Sequence, residues 1–374
     1  MTTSTVKRTN ARQWGPFFIE SRETPPQSWL FTLSMLSVLA TLILTGVIFA
    51  LYGQNPITAY ITLAGGTLGD LSSLGVVLQR AIPLMLIGVG LVVAFRAQFF
   101  NIGAEGQLLA GAVGASAVAL FFPNFGILEI PVMFIVAFVC GAVWGFIPAI
   151  LKLKLEINEV ISTLMMNYIA ISIVEWLVNG PWKGKNQVGY SYTDTFPDAA
   201  WIPKIGSSTV HYPTLIVALA LVALVAFVIA RTRLGFRMRI LGENPVAAKY
   251  IGINTLNTTL AVVMLSAGAA GIAGAGEVGA IHHKLLDPAQ ISLGYGYTAI
   301  IVAWLARGNP ISVIFTAIFL GVVFAAGDVM KVSLQMPAQT TNVINGLLLF
   351  FLISTEPLVK LKISLAQGTW KLER

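Results

Sequence analysis

The residues best suited to chemistry are polar side chains that interrupt long apolar segments. One group lies in the glycine-containing segment 99–107, a second in segment 292–298, and two more lie singly within apolar runs. Inside a membrane, such side chains face protein or water and often mark the route of a solute. Amides and carboxylates could hydrogen-bond a small polar solute, and tyrosine rings could stack on a base or a sugar. The predicted pathway residues are Asn101, Glu105, Gln107, Asn167, Glu277, Tyr295 and Tyr297.

The amide-rich segment 99–107 has a structural alternative. It resembles a break in a helix, where freed backbone groups line a cavity. It could instead be a cytoplasmic turn in which Asn101 or Glu105 caps the following helix. Asn167 could line the pathway or form a hydrogen bond between helices.

The tyrosines and Glu277 also have two interpretations. Tyr295 and Tyr297 are two residues apart, so they would lie on different sides of a regular helix, and one could face a pathway while the other packs. Both could instead be aromatic anchors at the membrane interface. A carboxylate late in an apolar run must be paired or protonated, so Glu277 could also form a buried pair with Arg80 or a histidine.

The longest basic insert indicates a protein-binding element. Asn244 precedes Pro245, which favours the extended geometry of an N-cap, and Pro245 suits the first helical position. Gly252 is placed to end the helix in the left-handed conformation. The helix from Val246 to Ile251 would be marginal alone in water, so we expect it to dock on a partner outside the membrane.

The elements that position these residues are predicted to be membrane-spanning helices. Apolar residues make up 56% of the chain and charged residues 10%, against about 25% charged in a soluble domain. Runs of about 20 apolar residues recur, each long enough to cross a hydrocarbon core of about 30 Å. The predicted spans are Leu30–Tyr52, Val76–Phe95, Gly106–Phe122, Ile130–Leu151, Ile157–Val178, Tyr212–Ala230, Thr258–Ile281, Ile291–Leu305, Ile311–Val329 and Thr340–Val359.

This pattern predicts an all-α polytopic membrane protein with about ten transmembrane helices. The polar breaks open the third and eighth spans, five apart, which favours two inverted halves with broken helices. We expect one membrane domain over residues 30–359, with tails at 1–29 and 360–374. The extracytoplasmic loop 179–211 would form a structured cap, and loop 231–257 would be cytoplasmic.

Charge placement predicts the orientation. With the N-terminus inside, 17 of the 23 Lys and Arg residues fall on the cytoplasmic side, as the positive-inside rule requires. Both termini are therefore expected in the cytoplasm. The net charge of +7 then reflects orientation and lipid contact, and no nucleic-acid partner is expected. The first apolar run begins about 30 residues into the chain and is long enough to span, so a signal anchor is expected in place of a cleaved signal peptide.

Several kinds of site are not indicated. No G-x-x-x-x-G-K-[ST], H-E-x-x-H or G-x-S-x-G motif is present, so ATP binding by a P-loop, and with it an enzymatic role, is not expected. No metal site is predicted, because His282–His283 fits an interfacial helix end and has only Asp287 near ligand spacing. With Cys140 as the single cysteine, an intramolecular disulfide is excluded.

Two rival classes remain open. An ion-coupled secondary transporter would use the same inverted halves, with Glu105, Glu277 and Asp328 as proton or ion sites. A channel or membrane scaffold would not need a capped cytoplasmic helix. That helix favours a protein driven from the cytoplasm.

Four motifs resemble a known family in the same order along the chain. Segments 100–108, 276–278 and 294–300 resemble three signatures of bacterial ABC-importer permeases for nucleosides and simple sugars, within the group that includes ribose and branched-chain amino acid permeases. Segments 233–239 and 242–249 together resemble the coupling loop of that family. The resemblance covers about residues 30–359.

The resemblance implies partners and a location. Such a permease works with a second permease, a fused double ATPase that binds the ATP, and a substrate-binding lipoprotein or periplasmic protein in the bacterial inner membrane. Its substrates would be nucleosides, or alternatively simple sugars, and the chain itself would need no cofactor. The expected ATPase-coupling residues are Arg237, Arg239, Glu243, Asn244, Pro245, Val246, Lys249 and Tyr250.

Overall fold

The structure is a computed structural model that describes residues 12–14, 17–21, 27–122, 125–185, 191–337, 339–359 and 361–365. Parts of the predicted tails (1–11, 15–16, 22–26, 360 and 366–374) and residues 186–190 of the predicted cap loop lie outside the described residues. Within the described part, eight helices are long and apolar enough to cross a membrane. The prediction of an all-α polytopic membrane protein is therefore confirmed.

The contacts divide the chain into two compact units, and the smaller one joins residues 1–57 to residues 342–374. It contains helix α1 (Gln27–Leu51) and most of the last helix, α14 (Gln339–Val359). Ser37 on α1 donates a hydrogen bond of 3.2 Å to the carbonyl of Phe351 on α14. Three short antiparallel strands, absent from the sequence prediction, complete this unit: β1 (Arg12–Trp14), β2 (Phe17–Ser21) and β3 (Leu361–Leu365), in the order β1-β2-β3.

The larger unit, residues 58–341, carries the candidate sites. Helix α10, with its π-helical end Glu277–His282, packs against α3, α4 and α5, while α12 packs against α3, α4 and α13. The helices are α2 (Pro56–Leu68, whose first two residues belong to the smaller unit), α3 (Leu71–Arg96), α4 (Ala104–Phe121), α5 (Glu129–Leu155), α6 (Glu159–Asn179), α7 (Tyr212–Arg231), α8 (Arg233–Glu243), α9 (Pro245–Tyr250), α10 (Thr255–Gly276), α11 (Pro288–Ser292), α12 (Tyr295–Leu305) and α13 (Ser312–Ser333).

The predicted eighth span, Ile291–Leu305, is a broken helix. It is divided between α11 and α12, because Leu293 and Gly294 both take left-handed backbone conformations, with φ of 46° and 77°. Helix α12 has 11 residues and is therefore about 16 Å long, roughly half of a hydrocarbon core. The tenth predicted span corresponds to the 21-residue α14, and the other eight match the spanning helices.

Backbone contact between helices depends on the small residues of α10. A Cβ atom at Gly271 would overlap the carbonyl oxygen of Ala137 on α5, and one at Gly111 on α4 would overlap the backbone of Gly271. The absence of a side chain at Gly271 and Gly111 lets the neighbouring backbones approach closely at this position. Helices α4, α5 and α10 therefore form a closely packed core.

We predict that Gly271→Ala destabilises the protein by about 1–3 kcal/mol, because the added methyl group must displace the α5 backbone. Gly65→Ala is the matched control, since Gly65 lies in helix α2 with no atom within 4 Å of an added Cβ. The measurement is thermal unfolding of the purified full-length chain in detergent. An unfolding temperature for Gly271→Ala equal to that of Gly65→Ala would contradict the close packing.

Candidate functional site

The loop before α4 is held by a buried amide pair. The Asn101 amide nitrogen donates to the Gln107 side-chain oxygen at 2.8 Å, and the Gln107 amide nitrogen donates back to Asn101 Oδ1 at 2.9 Å. Asn101 also donates to Ser266 Oγ on α10 at 3.2 Å and accepts from the backbone N–H of Gly103 at 3.2 Å. These mutual bonds fix the path of the chain into α4. Both predicted pathway amides lie in the interior in this conformation.

Glu105 joins the two broken segments. Its Oε2 accepts a hydrogen bond of 2.8 Å from the backbone N–H of Gly296 in the first turn of α12. A Cβ at Gly296 would overlap the backbone of Glu105, so only glycine permits this approach. An acidic side chain is favourable at a helix N-terminus, where backbone N–H groups lack helical partners. Glu105 therefore caps the N-terminus of α12. Its own helix, α4, has Gly103 as the N-cap residue and has no side-chain capping bond.

Asn167 on α6 ties the same region to the protein surface. Its Oδ1 accepts from the N–H of Gly106 at 2.8 Å, and its amide nitrogen donates to the Ile102 carbonyl at 3.0 Å and to the Tyr297 hydroxyl at 3.2 Å. The Asn167 side chain is buried, whereas Tyr297 is 36% exposed. Of the seven predicted pathway residues, Tyr297 alone lies partly on the surface.

The exposed surface beside Tyr297 continues along α6. Tyr168, Ser172 and Trp176, four residues apart, line an open groove of about 350 Å³ with two isoleucines. Tyr168 lies within electrostatic range of Tyr297, is 59% exposed, and is the tenth residue of a 21-residue helix. A tyrosine exposed at mid-helix differs from the aromatic belt, which lies at the membrane interfaces. Sequence analysis missed this row, although its i, i+4, i+8 spacing is visible in the sequence.

Tyr295 faces the opposite way and anchors α12 inside the protein. Its hydroxyl accepts a hydrogen bond of 3.0 Å from Arg80 on α3, and its ring packs 5.0 Å from that of Phe324 on α13. Arg80 also forms a 2.9 Å ion pair with Asp328 on α13. The two tyrosines therefore lie on different sides of the helix, as predicted. The Arg80 guanidinium thus donates to α12 and to α13, and Glu277 Oε2 has no hydrogen-bond partner among the described residues.

The sequence predicts a capped helix over Val246–Ile251, with Pro245 at its first position, and the structure has α9 at Pro245–Tyr250. Asn244 Oδ1 accepts from the N–H groups of Val246 and Ala247, each at 3.0 Å, and Pro245 is the first helical residue. Gly252 follows with a φ of +78°. The loop also contains α8, which sequence analysis did not predict. All eight expected coupling residues are exposed, including Val246 at 62% and Tyr250 at 88%.

We predict that Glu105→Ala destabilises the chain by about 1–3 kcal/mol, because it leaves the buried N–H of Gly296 unpaired. Glu105→Gln should destabilise the chain less than Glu105→Ala, since the glutamine amide oxygen can still accept the hydrogen bond from Gly296. Glu175→Ala, on the exposed surface of α6, is the control and should change stability by less than about 0.5 kcal/mol. Thermal unfolding of the three variants tests this. An effect of Glu105→Ala no larger than that of Glu175→Ala would exclude a structural role for the bond.

Comparison with known proteins identifies the family. A family described as "branched-chain amino acid transport system / permease component" matches residues 73–353. The chain is similar to a glucose ABC transporter permease of Haloferax volcanii, with 32% identity and 93% of each chain covered. It is also similar to a guanosine ABC transporter permease of Bacillus subtilis (27% identity, 86% of this chain and 92% of the relative) and a nucleoside ABC transporter permease of Lactococcus lactis (29%, 85% and 89%). The chain therefore belongs to this family of ABC-transporter permeases.

Proposed function

We propose that the chain is the permease subunit of an ABC importer for nucleosides or related small polar solutes, driven by ATP hydrolysis in a partner ATPase. The observation that carries this proposal is α9, a capped helix with exposed apolar side chains in a basic segment. The charge distribution supports an orientation with both termini and α9 on the cytoplasmic side of a bacterial inner membrane. In this proposal the partner ATPase binds the ATP, and this sequence contains no P-loop motif.

Helix α9 has the features of a docking element. Val246 and Tyr250 are four residues apart and share one helix face, and both are largely exposed. Ala248 is buried, and α9 packs against α8 and α10. Arg237, Lys249 and the Arg239–Glu243 ion pair are exposed charges of the same loop. We infer that the apolar face enters a groove of the ATPase whose rim is acidic.

The solute pathway in this proposal follows the surface marked by Tyr297 and Tyr168. In a lipid-facing position the two phenol hydroxyls would lose hydrogen bonds with water, whereas beside a wet pathway they keep them. Asn167 holds the Tyr297 hydroxyl and is itself fixed by two further hydrogen bonds, from the Gly106 N–H and to the Ile102 carbonyl. A ring held in this way can stack on a nucleobase at little entropic cost. The other predicted pathway residues would then stabilise the wall of the pathway from the protein interior without lining it. They are Asn101, Glu105, Gln107, Glu277 and Tyr295.

The open groove beside α6 also favours a second permease. Its lining residues come from one face of one helix, so a facing surface is needed to enclose a solute. A related permease placed there would supply the opposite wall, and a fused double ATPase would receive the α9 helix of each subunit. A substrate-binding lipoprotein or periplasmic protein would deliver the solute from outside. ATP-driven closure of the ATPase would move α9 and rock the helix halves to expose the pathway to alternate sides.

A simple sugar is the second candidate substrate. The glucose permease relative is 32% identical, against 27% and 29% for the guanosine and nucleoside relatives. A sugar ring can also pack its apolar face on tyrosine. The aromatic groove therefore fits both classes, and direct competition must separate them.

We predict that nucleosides compete for uptake by the assembled importer more strongly than pentoses or glucose, and that ATP depletion abolishes uptake. Tyr297→Ala should reduce uptake about tenfold, corresponding to about 1.4 kcal/mol of lost stacking, whereas Tyr297→Phe should retain most of it. The measurement is uptake of radiolabelled nucleoside with unlabelled competitors. Phe315→Ala, at an exposed aromatic residue on α13, is the control.

Three results would contradict this prediction. Equal uptake by Tyr297→Ala and Phe315→Ala would remove Tyr297 from the pathway. Stronger competition by a sugar would favour the second candidate substrate. Gradient-driven uptake by the purified chain alone in proteoliposomes would indicate a secondary transporter.

We predict that the double substitution Val246→Ala with Tyr250→Ala reduces ATPase co-purification and solute-stimulated ATP hydrolysis by tenfold or more, on the order of 1.4 kcal/mol, because it removes the apolar contact face. Asn244→Ala should also weaken coupling, by about 1 kcal/mol of lost capping, whereas Asn244→Asp should preserve it. Ile127→Ala, at a residue 94% exposed before α5, is the control. Wild-type coupling in the double variant would exclude α9 as the ATPase contact.

A further inference from the structure

A small cavity lies between α3, the start of α7 and the π-helical end of α10. Its lining includes Gln79 and Pro83 on α3, His211 and Thr214 at the start of α7, and Glu277. Its volume is about 10 Å³. A cavity of this size has room for about one water molecule when polar groups surround it.

Two polar atoms in this lining have no hydrogen-bond partner in the part of the chain that the structure describes. Glu277 Oε2 and His211 Nε2 are both without a hydrogen bond, and the two residues are only 2% and 3% exposed. Buried polar groups are nearly always hydrogen-bonded to protein or to ordered water. Two unpaired atoms at one cavity therefore indicate a shared small polar ligand.

The backbone around the cavity supplies a third polar group. Pro83 has no N–H and lies inside α3, so the carbonyl of Gln79, four residues earlier, lacks its helical donor. On the opposite wall, the π-helical turn Glu277–His282 carries the carboxyl group. Such π-helical turns are rare and frequently occur at functional sites. Both irregularities occur where the helices meet the cavity.

The charges around Glu277 are already engaged elsewhere. Arg80 on α3 directs its guanidinium to Tyr295 on α12 and to Asp328 on α13. His282 is the last residue of the π-helical segment and His283 follows it, and neither lines the cavity. A buried carboxylate without a paired cation is costly, and burial therefore favours the neutral carboxylic acid.

His211 completes the site as a neutral acceptor. Burial, followed by repulsion from Lys204 and by a smaller effect of His283, lowers the pKa of His211 to about 4. The hydrogen bond to the Ala280 carbonyl acts in the opposite direction and raises the pKa. The ring N–H that faces the Ala280 carbonyl leaves Nε2 as an acceptor in the neutral imidazole. At neutral pH, the cavity therefore has the Glu277 carboxylic acid as a hydrogen-bond donor, and His211 Nε2 and the Gln79 carbonyl as acceptors.

We propose that this cavity binds a single water molecule that accepts a hydrogen bond from protonated Glu277 and donates to His211 Nε2 and to the Gln79 carbonyl. This arrangement gives Glu277 Oε2, His211 Nε2 and the Gln79 carbonyl a partner each. It joins α3, α7 and α10 through one water. A charged Glu277 would compete with Tyr295 and Asp328 for Arg80 and would weaken the anchor of α12.

The test is infrared difference spectroscopy of the full-length chain in lipid nanodiscs at neutral pH. We expect the wild type minus Glu277→Gln spectrum to contain the carbonyl band of a protonated carboxylic acid, which shifts on exchange into D₂O. His211→Phe should move this band to higher frequency, because the bridging water loses an acceptor. Glu175→Gln, at an exposed carboxylate on α6 that has no contact with Arg80, is the control and should leave the band in place.

Two outcomes would overturn the proposal. One is a wild-type protein without the band, or a band that persists in Glu277→Gln. The other is a band that His211→Phe leaves unchanged. Because His211→Phe retains Glu277, this variant tests the proposal even if Glu277→Gln fails to fold. The measurement uses no solute and no ATPase, so its failure is distinguishable from failure of the proposed transport function.

Discussion

The hydrogen bond between the Glu105 carboxyl group and the first turn of α12 is the contact on which the candidate site depends. Helix α12 begins well inside the protein after a left-handed break, so its first N–H groups have no helical partners. In a hydrocarbon core, water cannot satisfy them, and the protein must do so. Glu105 meets this need, and Gly296 allows the two backbones to approach. The positions of Tyr295 and Tyr297 follow from where α12 begins.

This constraint changes the interpretation of the polar residues inside the membrane. Asn101 and Gln107 are bonded to each other, and Asn167 uses its oxygen and its nitrogen to bind Gly106, Ile102 and Tyr297. Their hydrogen bonds hold irregular backbone in place. We infer that solute contact falls to the aromatic surface that they support. Polar residues within a span can thus be essential to a pathway without lining it.

Local chemistry explains what could be predicted from the sequence. The cap at Asn244 and the helix start at Pro245 were predictable because both depend on neighbouring residues, and apolar length located eight spans. The glycines of segment 292–298 predicted a break at the start of the eighth span. The left-handed conformation of Leu293 was not predictable, since leucine is a good helix former. The partner of Glu105 lies 191 residues away, so spacing alone could not assign it.

Helix α8 was missed for a different reason. Its buried residues, Met238 and Leu241, alternate with arginines and glycines, so the segment has the composition of a basic loop. Tyr168 was missed because an aromatic residue within a long apolar run resembles packing. Its significance depends on its exposure beside Tyr297, which only the folded structure provides.

The packing also provides a route by which force on α9 can reach the candidate pathway. Helix α9 contacts α10, and α10 meets α4 and α5 with their backbones in contact at glycine positions, which leaves little room for independent movement. Helix α4 carries Glu105, which holds α12, and α12 carries Tyr297. Close-packed interfaces shift between discrete arrangements because they deform little. Displacement of α9 would therefore move α10, α4 and α12 as a connected group. Arg80 on α3 is bonded to Tyr295 on α12 and to Asp328 on α13, and these bonds would resist the movement of α12.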